Sequence, residues 1–204
     1  MTATLLTIGH SNHPIDVFID LLRRHGVTAV ADVRSSPFSR YTSQYNQDSI
    51  KRSLKDAGIQ YVFLGKELGA RSTNPDCYRD SKAQYQLMAQ EPWFQEGLDR
   101  LRKGTATHRI ALMCAEKDPL ECHRTMLVGV RARSPEIALA HILANGDLEP
   151  HGQSEQRMLA HHHLADPEFI RTYEERLVEA YRLQCELIQY EDKKLTAEQQ
   201  GIPA

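Results

Sequence analysis

Between positions 113 and 124 the chain reads MCAEKDPLECHR, directly after an apolar run. Two cysteines, a histidine, an arginine and three acidic residues fall within a dozen positions, a mixture that supports four kinds of chemistry. The first is metal ligation by Cys114, Cys122 and His123. Structural zinc sites favour ligands paired about two to four residues apart, in two separate pairs. Here seven residues separate Cys114 from Cys122, His123 adjoins Cys122 with no second pair downstream, and nearby cations oppose a divalent ion, so the spacing assigns no metal. The second is a Cys114–Cys122 redox pair, which lacks the Cys-x-x-Cys spacing. The third is plain packing, because free cysteine is among the most buried residue types. Cys122, at the start of a helix, reads best this way.

The fourth is an active-site turn, and it is the reading favoured for Cys114. A strand ending at this cysteine leads through a polar turn into a helix that starts near 121–123. Unpaired N–H groups at a helix N-terminus bind anions and lower a thiol's pKa. Arg124 can grip a phosphate or carboxylate in bidentate fashion. Glu116 can orient that arginine or act as general acid or base, with His123 as a second proton carrier. If Glu116 lies against the thiol, it raises the thiol pKa instead. The compact Cys-x5-Arg turn of phosphatases is absent, since the arginine comes ten positions after Cys114.

A second segment, DVRSSPFSRYTSQY, sets Asp32, Arg34, Ser36, Ser39 and Arg40 among Phe38, Tyr41 and Tyr45. Arginine, hydroxyls and aromatics on one loop suit anion gripping with base stacking; the alternative is a surface loop with a local Asp32–Arg34 ion pair. A third, GHSNH, contributes Ser11 as a substrate contact. His10 and His13 there either carry protons or merely cap and solvate.

The elements that must position these residues follow from periodicity. TLLTIG and VTAVADV read as buried strands. Between them lies HPIDVFIDLLRRHG, with Ile15, Phe18, Ile19 and Leu22 on one helical face and Gly26 at its end. This is a βαβ unit, which makes its strands parallel. DSIKRSLKDAG, IQYVFL, a helical stretch opened by the Ser81–Gln84 spacing and interrupted near Pro92, RIALMC, HRTMLVGVRAR and EIALAHIL continue the alternation, with Gly65–Asp80 as loop. The expected fold is α/β, a mostly parallel open sheet of about five strands with helices on both faces. In such a sheet ligands bind beyond the carboxyl ends of the strands, which is where all three segments fall.

Two domains are expected: 1–148 as the α/β unit and 149–204 as a helical extension, packed on it or forming a subunit interface. The extension carries a long amphipathic helix with Asp166 as N-cap and Ile170, Tyr173, Leu177, Tyr181 and Ile188 as its stripe. The three histidines at 161–163 point about 100° apart on a helix and cannot converge on one ion.

The 204 residues are 41% hydrophobic and 25% charged with a net charge of −2, so any nucleic-acid contact has to be local rather than a whole-surface attraction. The N-terminal apolar run is too short for a signal peptide, no stretch suits a bilayer span, and four cysteines are too few for a secreted disulfide scaffold. A cytoplasmic protein is expected, without cofactor or membrane partner, and with a homodimer through the C-terminal helix as one option.

Taken together, TIGHSNHPIDVF, ADVRSSPFSRY, GKELGAR, MCAEKDPLECHR and AHIL resemble the bacterial and archaeal family called domain of unknown function 488, over roughly residues 4–146. By resemblance the marked positions are Gly9, His10, Ser11, Asp32, Arg34, Ser36, Pro37, Ser39, Arg40, Gly65, Leu68, Gly69, Cys114, Glu116, Cys122, His123 and Arg124. The family often pairs two glycines where this chain has Gly69-Ala70, which leaves Arg71 without an assigned role. The resemblance implies a fold and a set of residues, not a reaction. The chemistry itself suggests an enzyme acting on an anionic substrate, a nucleotide or nucleic acid. In that reading Cys114, Glu116 and His123 are catalytic, while Ser11, Arg34, Ser36, Ser39, Arg40 and Arg124 hold the substrate. The alternatives are a non-catalytic anion-binding module with structural cysteines, or the Cys114/Cys122/His123 metal site.

Overall fold

The computed structural model describes residues 2–167 and 169–192 of the chain. Strands β1 (Ala3–Gly9), β2 (Ala29–Asp32), β3 (Gln60–Phe63), β6 (Ile110–Cys114), β7 (Ile137–Ile142) and β8 (Leu148–Pro150) form one sheet in the order β3-β2-β6-β1-β7-β8. All pairings are parallel except β7 with β8. The fold is α/β as expected. The sixth strand follows the Asn145-Gly146 turn, where Gly146 takes a φ of 91°, and folds back as an antiparallel edge. β4 (Tyr78–Arg79) and β5 (Lys82–Ala83) make a separate small hairpin.

The central strands are buried on both sides because helices cover both faces. One face packs Phe18, Leu21 and Leu22 of α1 (Ile15–Arg24) and Ile50 and Leu54 of α2 (Gln47–Asp56) against Leu6, Ile8, Val30 and Met113. The other face packs Phe94, Leu98 and Leu101 of α5 (Pro92–Thr105) with Met126, Leu127 and Val128 against Leu5, Ala29, Ala31 and Leu112. Neighbouring strands β1 and β6 therefore send their chains to opposite faces: β1 through α1 to β2, and β6 through the second layer to β7. Their carboxyl ends meet at this switch point, the place where open α/β sheets bind ligands.

Several elements differ from the sequence expectation. The stretch after Pro119 is not a plain α-helix: Arg124–Gly129 is a π-helical turn followed by α6 (Val130–Ala132). The 65–80 loop contains a short helix, α3 (Gly65–Leu68). Ser81 does not cap a helix, because Asp80 and Ser81 both take positive φ to turn the β4–β5 hairpin; α4 (Tyr85–Met88) follows, and Pro92 opens α5. After α7 (His151–His161), the terminal helix α8 spans Tyr173–Ile188, capped by a Thr172–Glu175 capping box rather than by Asp166. Ile170 consequently lies outside it and is 91% exposed. Leu177, Tyr181, Leu183 and Ile188 of α8 pack against the chain's own core.

A buried polar chain stitches this second layer to the central strands, and one assignment of protons satisfies every group in it. Arg124 Nε donates to Thr7 Oγ1 (3.4 Å), and the Thr7 hydroxyl donates to His141 Nδ1 (2.9 Å). His141 Nε2 donates to His151 Nδ1 (2.9 Å), and His151 Nε2 to the Tyr181 oxygen (2.7 Å). The Tyr181 hydroxyl ends the chain on Glu155 Oε1 (2.8 Å), which also accepts from Arg133. Burial, reinforced for His141 by the facing His151, holds His141 down to about 2 and His151 down to about 4. Both imidazoles are therefore neutral when folded, while the unfolded chain takes up protons from about pH 6.5 downward. Stability is expected to be full above pH 6.5 and to fall toward pH 4, by roughly 1.4 kcal/mol per pH unit for each histidine. Urea unfolding at pH 7.5 and pH 5 measures this; equal unfolding free energies at the two values would refute it.

Candidate functional site

The carboxyl end of β6 is clamped on both sides. His10 N and Ser11 N donate to the carbonyls of Cys114 and Ala115 (2.9 Å each), and Val33 N donates to Met113 O (3.1 Å). Ser11 adopts a φ of 48° at this point. β1 reaches this close only because residue 9 is glycine. A Cβ there would lie 1.9 Å from the Glu116 carbonyl oxygen, a contact that only a backbone shift could relieve.

The chain then turns back on itself, and the turn is held by Arg124. This side chain is fully buried. Nη1 donates to Glu116 O (2.7 Å), Nη2 to Lys117 O (3.2 Å), and Nε to Thr7 as described. Folding the loop this way brings four side chains into one group. One ligating atom from each of Cys114, Glu116, Cys122 and His123 lies within 4.8 Å of all the others. Cys114 Sγ is 3.7 Å and Cys122 Sγ 3.9 Å from His123 Nδ1, and Cys122 Sγ is 2.8 Å from Glu116 Oε2. His123 Nε2 donates to Val33 O (2.9 Å), which leaves the Nδ1 lone pair directed at the sulfurs. Cys114, Cys122 and His123 are buried; Glu116 alone has exposed surface.

The charges in this group are in tension. Burial pushes the Cys114 thiol well up, and its bonds with Cys122 and Glu116 push the same way. Burial also opposes ionisation of Cys122, but the hydrogen bond from Cys114 and the charge of Arg124 outweigh it and draw that thiol down. The Arg124 backbone N–H, 3.4 Å from Cys122 Sγ, adds to the pull. Desolvation of its crowded carboxyl end, followed by the charge on Cys122, raises Glu116. Burial alone would lower His123, yet the neighbouring Cys122 raises it. A sulfur and a carboxylate oxygen at 2.8 Å cannot both be bare anions; a proton or a cation has to lie between them.

Beside this group lies a second buried one. Arg34 grips Asp32 in bidentate fashion (Nε–Oδ1 2.9 Å, Nη2–Oδ2 2.7 Å) and also donates to Tyr45 O (2.8 Å) and His10 Nε2 (3.2 Å). His10 donates through Nδ1 to Ser11 O (2.8 Å) and stacks on Tyr45 at 4.1 Å. Desolvation holds His10 down to about 4, so it is neutral at pH 7 and able to accept from Arg34. Tyr61 completes the shell of Asp32 (2.8 Å).

Of the residues singled out from the sequence, Cys114, Glu116 and His123 come together as one group. Arg34 and Arg124 lie beside it, but their guanidinium donors are engaged internally and both side chains are buried, so neither faces solvent to grip an anion. Ser39 Oγ accepts from the backbone of Tyr41 and Thr42 and shapes its own loop. Ser36 and Arg40 are exposed, and Ser11 is partly so. Cys122, read from sequence as packing, is buried as that reading required, yet its sulfur stands inside the polar group. Tyr61 and Thr7 carried no signal in the sequence, since a tyrosine and a threonine in strands are ordinary packing residues.

An open α/β protein with a thiol–imidazole–carboxylate group at its topological switch point is the class defined by this fold and site. Residues 14–130, more than half of the chain, match the family described as Domain of unknown function DUF488, and the chain belongs to that family. No curated protein and no solved structure matches it. Among the described residues no helix is long and apolar enough to cross a membrane.

The Asp32–Arg34 pair makes a direct prediction. Asp32→Asn strips the counter-charge from a buried guanidinium, which costs about 3 kcal/mol or more. Chemical denaturation should read that loss at pH 7; a variant as stable as the parent would mean the pair carries little.

Proposed function

We propose that the chain is a metal-dependent enzyme of hydrolytic type, with one zinc-class divalent ion held by Cys114, Cys122 and His123, and with Glu116 at the open side. The observation that carries this reading is the spacing of the two cysteine sulfurs about the His123 ring nitrogen, with Glu116 gathered into the same group. Tetrahedral zinc with bonds of about 2.0–2.3 Å sets its nitrogen and sulfur ligands about 3.5–3.8 Å apart, and the two sulfur–nitrogen separations are 3.7 and 3.9 Å. The His123 Nε2–H bond to Val33 O is the outer-shell contact that fixes a ligating imidazole. Charge balance supports it too. Two thiolates and a carboxylate carry three negative charges; a divalent ion and Arg124 supply three positive ones. The cations that speak against metal in the sequence are neutralised here, Arg34 by Asp32 and Arg124 by this very group.

Two thiolates and one imidazole leave a fourth position, and Glu116 is the only exposed member of the set. A bound ion supplies a Lewis acid; Glu116 at its edge can hold or release a proton for a substrate entering the crevice. The substrate side is furnished by the rim. Arg40 and Ser36 are exposed, and Phe38 (68%) and Tyr41 (97%) stand free on the same loop. A cation among open aromatics suits an anionic substrate with a flat ring, of nucleotide or single-stranded nucleic-acid type.

One observation favours a second reading, thiol catalysis without metal: the pull on Cys122 toward thiolate. It moves the nucleophile from Cys114 to Cys122. Elemental analysis of untagged protein separates the two. About one zinc-class ion per chain is expected, falling to background in Cys114→Ser, Cys122→Ser and His123→Ala and persisting in Glu116→Gln. Cobalt exchange should give thiolate charge-transfer absorption that both serine variants lose. A folded wild type devoid of metal, with Cys122 rapidly alkylated by iodoacetamide, would overturn the metal reading in favour of the thiol one. On a panel of nucleotides and oligonucleotides, hydrolysis by wild type should vanish with a chelator and in Glu116→Gln.

A further inference from the structure

We infer a second ligand site, separate from the switch-point crevice: the groove between α4, the π-helical turn with α6, and α8 binds a small organic phosphate monoester. The groove has a volume of about 930 Å³, within the ~300–1,000 Å³ range of small-molecule pockets. Its walls combine two kinds of surface. Leu87, Met126, Val130, Leu177 and Val178 supply an apolar bed. Over it stand four arginines and two glutamates. Arg133 is paired with Glu155 and Arg182 with Glu186, so those charges cancel.

Arg79 and Arg131 remain. Among the described residues neither has a carboxylate within ion-pair distance. Arg79 is exposed and donates from Nη1 to the carbonyls of Asp76 (3.1 Å) and Tyr78 (2.7 Å). Arg131 is half-buried and donates from Nη1 to Met126 O (3.1 Å) and Leu127 O (3.0 Å), and Nε and Nη2 find no partner among the described residues. A guanidinium withdrawn from water with no counter-ion is costly, and burial pulls the Arg131 pKa down accordingly. The carbonyls at the end of its own helical turn orient the group, but they neutralise no charge. Two uncompensated guanidiniums on an apolar bed complement a ligand with a dianionic head and an apolar or aromatic body. A phosphate monoester carries that charge at pH 7, and arginine's fork matches its oxygens.

The ordinary alternative is that Arg131 serves only as a cation at a helix C-terminus and Arg79 only as a surface charge. Calorimetric titration of the full chain with AMP separates the two. AMP should bind with a dissociation constant below about 1 mM, a binding free energy of about 4 kcal/mol or more. Inorganic phosphate alone and adenosine alone should each bind at least about tenfold more weakly, since each satisfies only one wall. Arg79→Gln, which touches no helix core, and Arg131→Gln should each weaken the groove phase of AMP binding by about tenfold, while Arg40→Gln, which removes only the crevice-rim cation, alters no more than a separate crevice phase. No heat with AMP overturns the proposal, as does AMP binding that both groove variants retain. Binding lost only in Arg40→Gln assigns AMP to the crevice and overturns it equally. Because metal content is not involved, failure here leaves the proposed metal centre standing, and the reverse holds as well.

Discussion

Everything at the switch point depends on one buried cation. Arg124 has no exposed surface, and its donors go to the carbonyls of Glu116 and Lys117 and the hydroxyl of Thr7. Placing a guanidinium in a protein interior is expensive unless acceptors surround it. Here those acceptors are the loop itself, so satisfying the charge and folding the loop are one event. The loop that wraps Arg124 is the loop that carries Glu116 inward and returns Cys122 and His123 to the end of β6. A neutral side chain of the same size would leave two carbonyls without donors and the two thiols without the positive charge that tolerates them.

The surroundings are arranged to keep that cation in place. From Thr7 the polar chain runs through His141, His151 and Tyr181 to Glu155, so strands β1 and β7 are tied to α7 and α8 by groups that must all be present to be satisfied. The C-terminal helices are thus part of the support of the crevice, because Tyr181 sits on α8 and terminates the chain. On the other side, the Asp32–Arg34 pair with His10, Tyr45 and Tyr61 forms a neutral polar wall. Between these two networks the sulfurs of Cys114 and Cys122 are buried among oriented polar groups. In such a setting either a proton or a cation has to bridge Cys122 and Glu116.

The glycine at residue 9 shows how little room there is. The close pass of β1 under Glu116 O leaves no space for a methyl group. The π-helical turn fits the same picture. Widening the helix at Arg124–Gly129 lets Arg124 reach back to the loop while Met126, Leu127 and Val128 stay in the core, and such widened turns recur at functional sites.

Much of the architecture was legible in the chain. The apolar runs of β1, β2 and β6, the amphipathic periods of α1 and α2, and the glycines that close them carry their own local signals, and their alternation dictates a parallel sheet with loops gathered at one edge. From that rule alone, Cys114, Glu116 and His123 fall near Arg34 and Ser11. What the chain could not report is where donors point. Arg124 looks identical to an anion-gripping arginine in sequence, because the carbonyls of Glu116 and Lys117 that absorb it belong to backbone that every residue possesses; the Asp32–Arg34 pair was legible as one of two alternatives, but not its burial. Cys122 reads as packing for the same reason: burial is a local tendency, whereas membership of a four-atom group is a distance between β6, a loop and a helix start. The start of α8 follows a local signal other than Asp166, the Thr172–Glu175 capping box, whereas the hairpin at Asp80–Ser81 is held by distant backbone, Ala83 N donating to Tyr190 O and Asp192 N to Ser81 O. Local periodicity determined which elements form and in what order; only the tertiary structure decided which charges are satisfied inside the protein and which stay exposed, because charge satisfaction is settled across elements.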